Sequence, residues 1–205
     1  PPVVVSPVAI ELPAMESGEL VNGSKLLFSS QKGLRKATVS VRLLRGHMDL
    51  DSEPREIRNF HGTLMTRATK AYSSEKLELL TDLYDIDLRA WHSYRDSGVR
   101  VSVPNEDLNM GIDILESVLT EPSFPGREVK LRRQEMLRYY ETSGPASPGS
   151  VADNALSYSW FEPEGPYGMR PNLDEIESIR PGALKKRHFT SPVNNNEIEK
   201  IYNTL

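Results

Sequence analysis

The segment "NFHGTLMTRATKAYSS", Asn59 to Ser74, has the rhythm of a helix with a polar end. Asn59, Gly62 and Thr63 fall at i, i+3 and i+4, positions that share one helix face within a turn. A His, a Glu and a second His at that spacing would hold a zinc ion and supply the base that deprotonates its bound water. Asn59, Gly62 and Thr63 cannot do that work. Threonine is a poor zinc donor and glycine offers none, and without a carboxylate at 62 nothing is placed to take the proton. His61 lies in the same segment, but each residue of offset turns it about 100° from that face. It reads as an ordinary helix histidine with a hydrogen bond. His47, His92 and His188 show no metal-ligand spacing in any pair.

Other chemistries fare no better. The chain has no Cys, which excludes disulfides, thiolate metal sites and a Cys nucleophile. "SGPASPGS" lacks a nucleophile-elbow pattern and reads as a loop. "PNEDLN" is acidic but lacks the spaced oxygens and the glycine of a calcium loop, so it reads as a helix start. In "KLRRQ", Lys130, Arg133 and Leu137 share one side of a helix while Arg132 and Arg138 lie elsewhere, the pattern of a solvated face. Tyr139 and Tyr140 read as packing against the first helix. With 25 basic and 29 acidic residues, no stripe of one sign dominates, which argues against a nucleic-acid footprint. No apolar run approaches the ~20 residues needed to cross a bilayer.

Positioning these residues requires elements, and periodicity supplies them. Residues 1–17 carry early prolines and no helical period, which predicts an extended N-terminal arm. The opening Pro1-Pro2, without Met, suggests a processed or trimmed chain. "ELVNGSKLLFSS" predicts two extended runs around a tight turn at Asn22-Gly23. "ATVSVRLLRG" alternates Val39, Val41 and Leu43 inward as a strand, and Gly46 to Glu53 follows as a polar loop. A helix is expected from Pro54 to about Thr66 with Ile57, Phe60 and Leu64 on one side. A second, over 73–84, has a serine cap and a stripe of Leu77, Leu80 and Leu83/Tyr84. Strands near 86–93 and 98–103 flank the turn "RDSG". The next helix, capped by Asn105, shows a stripe of Leu108, Ile112, Leu115 and Leu119. Helices follow at about 126–142, in "SVADNALSYSWF", in "RPGALKKRHF" and in "EIEKIYNTL", with "EPEGPYGMRPN" irregular between them. The fold class is α+β, an antiparallel sheet covered by helices in a two-layer sandwich, with 18–205 as a single domain.

Five passages in order resemble the pitrilysin/insulinase (M16) zinc peptidases, specifically one half-unit of the M16/LuxS-type fold. They are "LVNGSKLLFSS", "VSVRLLRGHMDLD", "TRATKAYSSEKL", "LESVLTEPSFPGREVKLRRQ" and "GPYGMRPNLDEIESI", and the resemblance runs from about Glu19 to Phe189. It places the family's His-x-x-Glu-His on Asn59, Gly62 and Thr63, and its distal glutamate ligand on Tyr139. A further acidic residue of the family falls near Arg132. The resemblance therefore implies a fold retained without its metal, with no catalytic residue, no cofactor and no metal of its own. It departs from the family after "HFTSPVNNN", where the family runs a strand and this chain goes straight on to "EIEKIYNTL".

The implied role is a non-catalytic subunit that joins a catalytic M16-type chain in a hetero-oligomer, forms part of a chamber wall and contacts peptide substrates. The alternatives are a structural core subunit of a mitochondrial cytochrome bc-type complex, or a peptide-binding module acting alone. Nucleic acid and a membrane span are not expected. The proline-rich arm is more like bacterial secreted or periplasmic subunits than like mitochondrial cores on the matrix side.

Overall fold

A computed structural model describes residues 14–19, 24–44, 55–93, 95–142, 148–162, 172–190 and 198–203. The expectations for residues 1–13, the Asn22-Gly23 turn, the 46–53 loop, most of "SGPASPGS" and most of "EPEGPYGMRPN" lie outside those residues. His47 does too.

Among the described residues, six strands form one sheet: β1 (Met15–Glu19), β2 (Lys25–Ser29), β3 (Lys36–Leu43), β4 (Asp87–His92), β5 (Ser97–Pro104) and β6 (Ile198–Asn203). Their spatial order is β1-β2-β6-β3-β5-β4, so β4 is an edge strand. The period-2 pattern of "KATVSVRL" puts Ala37, Val39 and Val41 on the buried face of β3. Antiparallel pairing sets them directly against Val103, Val101 and Val99 of β5, all buried. Three apolar pairs therefore line the centre of the sheet, each buried valine contributing about 1.5–3 kcal/mol by its removal from water. The opposite face is polar, with Thr38 Oγ1 donating to Ser102 Oγ at 3.1 Å.

Helices α1 (Arg55–Met65), α2 (Ser74–Leu83), α3 (Leu108–Thr120), α4 (Gly126–Thr142), α5 (Pro148–Trp160), α6 (Leu173–Ser178) and α7 (Pro181–Thr190) complete the described chain. Their apolar residues meet the valine face in one core that includes Phe60 and Leu64 of α1, Ile114 and Val118 of α3, Val129 of α4, and Leu184 of α7. No helix among the described residues is long and apolar enough to cross a membrane.

Several details differ from the sequence reading. "EIEKIYNTL" is not a helix: Ile198–Asn203 is β6, parallel to β2 and antiparallel to β3, so the sheet is mixed and the strand expected from the family is present. β1 takes in Met15–Ser17, residues expected in the extended arm, and pairs antiparallel with β2. Ser73 caps α2 as expected, accepting from the Lys76 N–H at 3.2 Å, but Leu83 is 68% exposed. The buried stripe of α3 is Gly111, Ile114, Leu115 and Val118, rotated from the predicted one, and Ile112 faces outward. Asn105 does not cap; its amide donates to the Leu34 carbonyl at 2.9 Å. α6, capped by Asn172, escaped prediction because it is only 6 residues long.

Gly98 of β5 shows how tightly the sheet end is built. A methyl group there would overlap both the Val41 carbonyl oxygen and the Trp91 ring. Gly98→Ala is expected to cost about 3 kcal/mol by overpacking. Urea unfolding checks it, and a loss under about 1 kcal/mol would contradict the packing of Trp91 over residue 98.

Candidate functional site

α1 carries the residues singled out by spacing, and its start is fixed from a distance. The carboxylate of Glu175 in α6 accepts the Glu56 backbone N–H at 3.0 Å, satisfying one of the orphan donors of the first turn. Burial pushes the Glu175 carboxyl up from its ordinary value, against the opposing pull of the Glu56 and Ile57 N–H groups and Arg58. Glu175→Ala is expected to lower stability by about 1–2 kcal/mol, the loss of a helix cap, measured by urea unfolding at pH 7. A variant as stable as the parent would show that this cap carries no weight.

With α1 so placed, Asn59, Gly62 and Thr63 do lie together. They line a cleft of about 230 Å³ with Ala90, Trp91 and His92 of β4 and Arg132 and Met136 of α4. A larger cleft of about 420 Å³ shares Gly62, Thr63 and Ala90 and runs on between α1, α2 and β4, past Arg67, Glu78, Arg89 and Glu128. Tyr139 does not line the smaller cleft. It stands one turn beyond Met136 on α4, 52% exposed, with its ring edge-on to Tyr140 at 5.3 Å. Of the pair, Tyr140 packs against the core, while Tyr139 stands outside it.

Arg133 is not part of a solvated face. Its guanidinium donates to the carbonyls of Glu177 at 3.1 Å and Ile179 at 3.3 Å, clamping α4 to the end of α6, while Leu137 is half-buried against the core.

The histidines that looked scattered are brought close by the fold. His61 Nε2 lies 3.1 Å from His188 Nδ1 on α7, so one imidazole donates to the other's lone pair. The rings stack at 5.3 Å, and Phe124 sits 5.4 Å from His61. Phe124 holds φ at +48°, a conformation costing a bulky residue about 1–3 kcal/mol, retained here with a fully buried ring. Burial, then the charges of His188 and His92, push His61 down to about 3. Burial and then Arg58 push His92 down to about 4, with Asp96 opposing. No sequence spacing could have shown this, since 127 residues separate His61 from His188.

The donor set does not fit zinc. Asn59, Gly62 and Thr63 offer neither imidazole nor carboxylate, and the cation Arg132 lines the same cleft. Among the described residues, no three His, Cys, Asp or Glu side chains are grouped to hold a metal ion.

No protein-family model matches the sequence, and no curated protein matches it. Solved structures do match the fold. A peptidase M16 inactive domain from Pseudomonas fluorescens superimposes with a TM-score of 0.79 at 13% identity, over 93% of this chain and 46% of that one. A protease from Helicobacter pylori gives 0.75 at 16% identity, over 95% and 47%. The first half of the periplasmic protease PqqL from Escherichia coli gives 0.70 at 16% identity, over 93% and 42%. This chain spans less than half the length of each. With its mixed sheet backed by α1 and α3, the chain has the fold of an M16 peptidase half-unit.

Proposed function

We propose that this chain is a non-catalytic partner of an M16-type metallopeptidase, forming part of the wall of a shared chamber and contacting peptide within it. One observation carries the reading: the α1 face that would hold zinc and its general base presents Asn59, Gly62 and Thr63. Proton abstraction and metal ligation would then have to come from a second chain. The likeness to a domain described as inactive, and to spans under half of longer proteases, supports the same reading. Contact with peptide is supported by β4, an edge strand whose residues line both clefts and whose outer side can pair with an extended chain.

The test is a native pull-down from the source cell. Recovery of a second M16-like chain supports the reading. Recovery of this chain alone, as a monomer, would leave it a peptide-binding module, and respiratory-complex proteins in the eluate would make it a core subunit.

A further inference from the structure

The cleft that fails to fit a cation has the chemistry of an anion site. Arg132 is the charged side chain among its lining residues at neutral pH, since His92 is held neutral by burial. The Arg132 side chain is partly exposed, at 30%. Its guanidinium approaches one acid, Glu135, at 3.4 Å, and that carboxylate is itself 67% exposed. Such an exposed pair contributes little, so Glu135 competes weakly for the guanidinium. Asn59 and Thr63 add an amide and a hydroxyl donor from the facing helix. A guanidinium held by one weak partner, next to neutral donors, matches the two oxygens of a carboxylate. A cation would be repelled.

We propose that this cleft is a carboxylate pocket, receiving the side chain of an Asp or Glu in an extended peptide laid along β4. The peptide is favoured over a free small acid because the pocket adjoins the edge strand, and because it continues through Gly62, Thr63 and Ala90 into the larger cleft beside that strand. The idea deepens the peptide-contact part of the function proposed above. It is tested on this chain alone, so failure to recover a catalytic partner would not bear on it.

Trp91 lines the pocket and supplies the signal. The sequence has 2 Trp, so Trp160→Phe in the full chain leaves Trp91 as the sole reporter. Its fluorescence is titrated at low salt with acetyl-Val-Thr-Glu-Thr-Val-amide, with the same peptide carrying Gln for Glu, and with sodium propionate. The Glu peptide should bind about 10-fold more tightly than the Gln peptide, as expected for hydrogen bonds to a charged group. Propionate should bind more weakly than either peptide. Arg132→Gln should abolish the preference for Glu. Glu135→Gln, which removes the competing acid, should strengthen it and keeps the test decisive if Arg132→Gln misfolds. Equal binding of the two peptides, no binding at millimolar concentrations, or a preference that survives Arg132→Gln would overturn the pocket. Propionate binding as tightly as the Glu peptide would overturn its assignment to peptides.

Discussion

Replacing Asn59 and Thr63 by His and Gly62 by Glu should leave the protein without stoichiometric zinc, whereas adding Tyr139→Glu should give about one zinc per chain. Residue 62 can accept the change, because a Cβ there meets nothing nearer than the His92 Cβ at 3.9 Å. Losing a helix-interior glycine should even stabilise α1, by about 0.5–1 kcal/mol. The two new histidines stand one turn apart facing α4, but two ligands hold zinc poorly, and the glutamate introduced at position 62 would serve as base, not ligand. The third ligand is expected from α4, where the resemblance places it on Tyr139; that residue stands one turn beyond the cleft, so the glutamate introduced there has to turn back toward residues 59 and 63. Arg132 lines the same cleft and opposes a cation, so Arg132→Gln on top of the four changes should tighten binding further. Metal content after dialysis, with circular dichroism to show retained fold, decides the matter. Stoichiometric zinc in the triple variant, or none in a folded quadruple variant, would mean that Tyr139 is not the matching position.

Acid should destabilise the protein early, between about pH 6.5 and pH 4. His61 is depressed from an ordinary 6.5 to about 3, His92 from 6.5 to about 4, and His188 is also lowered, by burial first. Across that window the unfolded chain binds protons that the folded chain refuses, so stability falls as pH falls. The contribution of His61 is full above 6.5 and is lost progressively toward 3. By pH 4 that loss is on the order of 3 kcal/mol, a large fraction of a typical stability of 5–15 kcal/mol. Protonation of both rings would also remove the acceptor of the His61–His188 hydrogen bond, with Arg187 beside it adding repulsion. Glu175 works the other way: its raised value makes its contribution improve as pH falls, a smaller effect at a half-exposed group. Urea unfolding from pH 8 to pH 4 should show the decline, and His61→Leu should flatten it while costing some stability at pH 8. Equal slopes in parent and variant would show that His61 does not titrate as its burial demands.

The strands at the centre of the sheet were legible because valines alternate there with polar residues, a pattern that only a half-buried strand satisfies. The i, i+3, i+4 face of α1 was legible for the same reason, as a property of one element. What escaped depends on other parts of the chain. In "EIEKIYNTL", Ile198 and Ile201 suit a helix turn, yet β2 and β3 leave a slot whose backbone groups need a partner, and the segment fills it as β6. The stripe of α3 is rotated because Gly111, not a larger residue, lets the helix lie close over Val103. Within the site, Arg132, Met136 and His92 meet Asn59 and Thr63 only through tertiary packing. Spacing could place the missing ligands; it could not show what now faces them.

If the M16 fold is kept here while zinc and base reside on another chain, as we propose, this chain purified alone should carry no zinc and cleave no peptide. The pair formed with the M16-like chain recovered beside it should cleave peptide with about one zinc, carried by the partner. Assays of peptide cleavage and zinc content, first on this chain and then on the pair, decide between these outcomes. Zinc-dependent cleavage by this chain alone, or cleavage by the partner that its addition leaves unchanged, would contradict the proposal.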